Sequence, residues 1–253
     1  MGVVNVTPDS FSDGGLFADH DAAVAHGLAL VAEGADVIDV GGESTRPGAE
    51  PVGVAEERRR VVPVIEALAP HVRVSVDTRK SEVAAAAIAA GATLVNDVSA
   101  TLHEVAAAYG VGWVAMHMRG EPATMQHEPR YSDVVVEVRE HLVERAEAGL
   151  SAGVAEVWID PGIGFGKTLD HNLALLAHLD ELVATGFPVV VGASRKRFLG
   201  SLLAASDGVE DVETGDRLEG SLAAATWAMA RGAAMVRAHD VRATVQAARV
   251  VAA

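Results

Sequence analysis

The 253-residue chain contains no cysteine, which excludes disulfides, thiolate nucleophiles and cysteine-bound metals and fits a reducing, cytoplasmic setting. Aromatic residues are scarce, at 4%, and basic residues are outnumbered by acidic ones, 20 against 35. The net charge of −15 argues against a general affinity for nucleic acid or an anionic membrane, since either needs a basic stripe. It leaves room for a small basic pocket. The longest apolar run, around VAAAAIAAGATLV, falls short of the ~20 residues a membrane-spanning helix needs. No basic stretch leads into the first apolar run, so no signal peptide is expected, and the abrupt start suggests a trimmed N-terminus.

What the chain does have is a series of polar cassettes, each at the end of an apolar run: VVNVTPDSFSDGG, VIDVGGESTRPGA, VRVSVDT, LVNDVS, WVAMHMRG, VWIDPGIGFGKT, PVVVGASRKRF and MVRAHD. The runs predict strands at Gly2–Val6, Ala35–Val40, Arg73–Val76, Thr93–Asn96, Gly112–Met116, Glu156–Ile159, Pro188–Val191 and Ala234–Arg237. Helical periodicity predicts Asp21–Glu33, Val54–Leu68, Ser81–Ala90, His103–Tyr109, Asp133–Ser151, Leu169–Thr185, Arg217–Arg231 and Val241–Val251. Gly34, Gly91, Gly110, Gly153, Gly186 and Gly232 sit where helices should stop. Ala204–Asp216 reads as an acidic loop. The pattern predicts one α/β domain over residues 1–253, a (β/α)8 TIM barrel with its active site at the C-terminal ends of the strands. A doubly wound open sheet is the rival; the near-uniform βα units favour closure.

Some signals lead nowhere. GIGFGKT fails the Walker pattern, because Pro161 stands where the first glycine belongs, and fails the dinucleotide pattern at Lys167. The histidines show no metal-ligand spacing, and His26, His141 and His178 read as solvated helix positions. No nucleophile elbow is present.

The strand tips carry the chemistry. Asn5, Asp39, Asp77, Asn96 and Asp160 come from five strands and would converge in a barrel, with no local cation in sequence to compensate them. Such a set suits an amino-pyrimidinone edge, whose parallel N–H donors match a carboxylate. Asp77 and Asp160 could instead cap the helices that follow. Arg46, Lys196, Arg237 and His239 form a basic group, and the loops after strands 7 and 8 are the usual phosphate site of the fold. With Asn5 beside them, Arg237 and His239 could hold a pyrophosphate and its Mg2+. The alternative pairs Arg237 with Asp240. The long segments Thr7–Leu16 and Gly41–Gly53 exceed what a βα connection needs, and Phe11, Pro47 and Phe165 could wall an aromatic ring.

With these residues in view the chain resembles the dihydropteroate synthase family over essentially its whole length. NVTPDSFSDGG, GGESTRPGA, SVDT, NDVS, MHM, DPGIGFGKT, GASRKRF and R-x-HDV match in order and spacing. The resemblance implies condensation of 6-hydroxymethyl-7,8-dihydropterin pyrophosphate with p-aminobenzoate by an SN1-like path, in folate biosynthesis, with Mg2+, as a homodimer and a target of sulfonamides. It implies that Asp77, Asn96, Met116, Asp160, Phe165 and Lys196 hold the pterin. Asn5, Thr45, Arg46, Arg237 and His239 would hold pyrophosphate, with Asn5 also on the metal. Phe11, Thr45, Pro47, Phe165 and Ser194 would take p-aminobenzoate, aided by a helix N-terminus near Arg195. Asp160, Lys196, Arg237 and His239 are the implied catalytic groups. Two departures stand out: a short Ser99–Tyr109 segment, and R-A-H where R-V-H is commoner. The absence of an insertion after GASRKRF makes sulfonamide sensitivity the expectation. The rivals, a pterin-dependent methyltransferase and a non-catalytic paralogue, fit less well, because the ESTRPG and R-x-H cassettes are intact.

Overall fold

The computed structural model describes residues 1–7, 15–44, 50–122 and 124–253, with side chains 15–19 excepted. Among these residues each strand is followed by one or two helices along the chain. The strands are β1 (Gly2–Asn5), β2 (Val37–Gly41), β3 (Arg73–Asp77), β4 (Leu94–Asp97), β5 (Gly112–Met116), β6 (Val157–Asp160), β7 (Val190–Val191) and β8 (Met235–Val236). The helices are α1 (Gly15–Ala32), α2 (Val54–Leu68), α3 (Ser81–Ala89), α4 (His103–Tyr109), α5 (Val134–Ser151), α6 (Leu169–Ala177), α7 (Leu179–Val183), α8 (Arg197–Asp207), α9 (Leu218–Ala230) and α10 (Val241–Val251).

β1 to β6 form one parallel sheet in sequence order, and β7 pairs with β8. Two isolated parallel bridges, Ile159 to Val189 and Gly2 to Ala238, join the two sheets into a ring. The ring is therefore closed at two seams by single bridges and not by full ladders. Pro188 contributes to the first seam's thinness: its carbonyl accepts from Ile159 N at 3.0 Å, but it has no N–H to return. At the second seam Ala238 N donates to Met1 O at 2.9 Å and Val3 N to Ala238 O at 3.3 Å.

The large core lies between strands and helices; Ile38, Val40, Ile65, Leu68, Leu142 and Ile159 are fully enclosed in it. A second cluster, Val37, Leu94, Val114 and Val190 with Met1, Trp158 and Met235 against it, plugs the barrel interior. Side chains alternate along a strand. The residues two positions on from this plug, Asp39, Asn96, Met116, Asp160, Gly192 and Arg237, therefore form the next interior layer, toward the strand C-termini.

Three helical expectations need correction. The 169–185 helix is broken at His178, whose φ of −107° and ψ of 31° interrupt it between α6 and α7. The first helix starts earlier than predicted, at Gly15. The segment read as a loop from Ala204 begins inside α8, which runs to Asp207 because Phe198, Leu199 and Ala204 bury an apolar stripe. His141 is also not a solvated position: its ring meets His117 edge-on at 5.1 Å.

Candidate active site

Acceptors from β2, β3, β4 and β6 line the mouth of the barrel. Asn96 Nδ2 donates to Asp39 Oδ2 at 2.9 Å. Asp39, Asn96 and Asp160 are buried and Asp77 is half-buried. Gly41 and Gly192 widen this layer. A Cβ on Gly41 would lie 3.5 Å from Asp77 Cβ and 3.6 Å from Asn5 Oδ1, and one on Gly192 would lie 3.7 Å from Arg237 Cβ and 4.0 Å from Asp160 Oδ2. Side chains there would fit, but they would fill the space that the acceptors surround. One oxygen of Asp39, Oδ1, is buried without a hydrogen-bond partner, as expected of a site shaped to receive a donor.

No cation stands beside these carboxylates in sequence, but the fold brings one from far along the chain. Arg237, arriving from the end of β8, donates from Nε to Asp39 Oδ2 at 2.7 Å and from a terminal nitrogen to Asp77 Oδ2 at 2.9 Å. The partner considered for it, Asp240, is taken by Arg195 at 2.5 and 3.0 Å. Burial pushes Asp77 up to about 7 against the pull of Arg237, and the neighbouring Asp39 charge adds to the rise. Asp160 is raised by burial too, opposed by Lys196 and by the Gly162 N–H that reaches its Oδ1 at 2.7 Å. That bond is a local turn rather than a helix cap. Burial also works against the charge of Arg237, but Asp39 and Asp77 outweigh it and raise the guanidinium's pKa.

Lys196 faces this bed from the β7 side. Its Nζ donates to Ile163 O and lies 4.3 Å from the centroid of the Phe165 ring. Burial lowers Lys196 to about 8, against the attraction of Asp160. Between Ser194 and Lys196 the chain turns through Arg195 at φ +59°, a left-handed conformation that a non-glycine residue adopts at a cost of roughly 1–3 kcal/mol. The surroundings hold it there: Arg195 N donates to Ser221 Oγ at 2.9 Å, its carbonyl accepts from Arg217 at 3.1 Å, and its guanidinium grips Asp240. The following helix starts at Arg197 with Lys196 as its N-cap residue, two positions later than expected. Ser194 Oγ lies 3.0 Å from His239 Nδ1 and accepts from His239 N at 3.2 Å.

The structure thus brings Asp77, Asn96, Asp160, Lys196 and Arg237 to one mouth, with Asn5 and Met116 at strand ends, Ser194 and His239 just beyond β7 and β8, and Phe165 on the loop after β6. Phe11, Thr45, Arg46 and Pro47 lie outside the described residues. Two features escaped the sequence reading: the role of Asp39 as a partner of Arg237, and the buried pair Lys167 and His117, whose Nζ and Nδ1 are 2.9 Å apart. A lysine inside a glycine-rich loop gave a signal, but it read as a failed phosphate motif.

A barrel mouth that sets recessed carboxylates beside cations from the ends of β7 and β8 has the chemistry to take a flat, donor-rich heterocycle next to an anion. The family model described as "Pterin binding enzyme" matches residues 1–239, and the chain belongs to that family. Among its relatives, the dihydropteroate synthase of Mycobacterium leprae is 50% identical over 100% of this chain and 92% of its own. That of Escherichia coli is 46% identical, over 100% and 90%. Among solved structures, Xanthomonas albilineans dihydropteroate synthase with 4-aminobenzoic acid superposes with a TM-score of 0.90 at 50% identity, covering 99% of this chain and 90% of that one. The Yersinia pestis dihydropteroate synthase with a sulfonamide drug complex gives 0.91 at 45% identity, covering 100% and 92%. The chain is a member of the dihydropteroate synthase family, enzymes of folate biosynthesis that transfer an alkyl group.

Proposed function

We propose that this chain joins the hydroxymethyl carbon of 6-hydroxymethyl-7,8-dihydropterin pyrophosphate to the amine of p-aminobenzoate, giving 7,8-dihydropteroate and pyrophosphate. The observation that carries this reading is the single mouth at which Asp77, Asn96 and Asp160 meet Lys196 and Arg237. In this reading the carboxylates and Asn96 accept the pterin's N–H donors, with Met116 and Phe165 against its ring. Arg237 and His239 flank the pyrophosphate with Asn5, Thr45 and Arg46. Ser194, Phe11, Thr45, Pro47 and Phe165 receive p-aminobenzoate.

The aromatic amine is neutral and needs no base before attack, so the barrier lies in breaking the C–O bond. In their ionised forms Asp77 and Asp160 favour positive charge on the pterin, and Arg237 and His239 stabilise charge growing on the leaving group. An SN1-like path follows from that distribution. Exclusion of water from the mouth would keep the cation from being captured as the alcohol.

The donors present fit Mg2+. Among the described residues no cluster of three or more acidic or histidine side chains could hold a metal alone. Asn5 offers one hard oxygen, and Mg2+ is commonly held by one or two protein oxygens together with substrate phosphates. When bound there the ion would neutralise phosphate charge.

A homodimer is the proposed assembly. Exposed Leu169 and Leu173 on α6, Leu202 on α8 and Trp227 on α9 support it, and Trp227 Nε1 bonds Leu176 O at 2.7 Å, placing α9 against α6. Light scattering behind a sizing column tests the assembly; a monomer at micromolar concentration would refute it. No helix among the described residues is long and apolar enough to cross a membrane, and a cytoplasmic location is proposed with the absence of cysteine as its support. Sulfonamides are proposed inhibitors. The deciding experiment is pyrophosphate release with both substrates, with and without Mg2+; no release with p-aminobenzoate present overturns the assignment.

A further inference from the structure

The loop between β6 and α6 has four consecutive carbonyls held by four different side chains. Ile163 O accepts from Lys196 Nζ, Gly164 O from Gln126 Nε2 at 2.6 Å, Phe165 O from Lys167 Nζ at 3.0 Å and Gly166 O from Tyr131 Oη at 2.9 Å. Gly164 N donates to Asn172 Oδ1 at 2.6 Å. The loop is also pressed onto the end of β5. Gly162, at φ +63°, has the place of a Cβ 1.8 Å from His117 O, and Gly166, at φ +62°, has it 2.3 Å from Arg119 O. Only glycine permits both the conformation and the approach.

Lys167 is the least expected member of this set. It is 3% exposed, and the roles proposed above make no use of it. Its ammonium has three N–H bonds and meets three acceptors: His117 Nδ1 at 2.9 Å, Phe165 O at 3.0 Å and His117 O at 3.4 Å. With Lys167 as the donor, His117 accepts through Nδ1 and its ring is neutral, in keeping with burial and the Lys167 charge, which drive its pKa down to about 2. An apolar side chain of similar volume would fill the same space without desolvating a charge. Burial, with the Lys196 charge behind it, pulls the Lys167 ammonium well below the usual lysine range, and Asp160 is the carboxylate that opposes this, each of the two favouring the other's charged form.

We propose that Lys167, seated on His117, is a positioning residue for the pterin half of the site. It fixes the Phe165 carbonyl, and with it the loop that meets Lys196, while providing a buried counter-charge behind Asp160. His117 serves as its acceptor and does not touch substrate. The inference rests on the pterin site proposed above.

The test compares Lys167→Met, His117→Asn and His117→Leu with the parent enzyme. Asparagine keeps an acceptor near the place of Nδ1, and leucine removes it. The first measurement is the Kd of unphosphorylated 6-hydroxymethyl-7,8-dihydropterin, which requires no turnover. The second is amide hydrogen exchange across residues 161–168. Lys167→Met should weaken pterin binding on the order of tenfold, the worth of a hydrogen bond to a charged group, with faster exchange confined to that loop. His117→Leu should behave alike, and His117→Asn should stay near the parent. Parent-like pterin affinity in Lys167→Met overturns the proposal whatever its thermal stability. Should that variant fail to fold, equal affinities in the two His117 variants overturn it. A parent that binds no pterin would instead sink the function on which the inference rests.

Discussion

Arg237 Nε lies 2.7 Å from Asp39 Oδ2, so the two residues join β8 to β2 across the barrel mouth. Their opposite charges act on Asp77 in opposite senses, Asp39 raising it and Arg237 lowering it. Asp77 accepts a ligand's N–H pair only when ionised. Pterin binding should therefore weaken as pH falls through about 7, and also above about 8 as Lys196 loses its proton. Asp39→Asn removes a neighbouring negative charge and should move the acid limb to lower pH. Arg237→Met should move it higher. Titrating the Kd of the unphosphorylated pterin from pH 5 to 9 checks both signs, and shifts in one common direction would contradict the arrangement.

Asp160→Asn and Lys196→Ala each remove a charge from the bed. Each should lower turnover and pterin affinity by one to several orders of magnitude, since hydrogen bonds to charged groups are worth about 1.5–3 kcal/mol and every 1.4 kcal/mol is about tenfold. Steady-state kinetics decides the matter; near-parent values for either variant would remove that residue from the site.

Arg237→Ala separates the two ligand halves. It should weaken binding of pyrophosphate more than that of the unphosphorylated pterin, as calorimetry with each ligand would show. Equal losses would count against a phosphate role.

Asp97, next to Asn96, is a fully buried structural carboxylate. Its oxygens accept from Ser99 N at 2.9 Å, Thr101 N and Leu102 N at 2.7 Å each, and Trp113 Nε1 at 3.1 Å. Asp97→Ala orphans these donors and should lower unfolding stability by roughly 3 kcal/mol or more. Urea denaturation measures it. A loss below about 1 kcal/mol would mean that water or repacking replaces the carboxylate.

Much of this was legible in the sequence because parallel strands buried on both faces read as unbroken apolar runs, and because the two-residue alternation carries each run's interior face on to its polar tip. Val37 leads to Asp39, Leu94 to Asn96 and Trp158 to Asp160 in this way. The Arg237 bridge was not legible, since the ends of β8 and β2 become neighbours only when the ring closes, with about two hundred residues between them. The break at His178 left no mark, because apolar periodicity continues across it. The helical start of the 204–216 segment was hidden by its acidic composition, while burial of Phe198 and Leu199 decided the fold.

The two seams divide the site residues by charge. Among the described residues, Asp39, Asp77, Asn96 and Asp160 belong to the six-stranded arc, and Lys196, Arg237 and His239 to the two-stranded one. Cleavage at the exposed turn around Gly186 would send all four acceptors to one fragment and all three basic groups to the other. Neither piece could then assemble the pterin bed alone, and recovery of pterin affinity on mixing would report that the ring had re-formed.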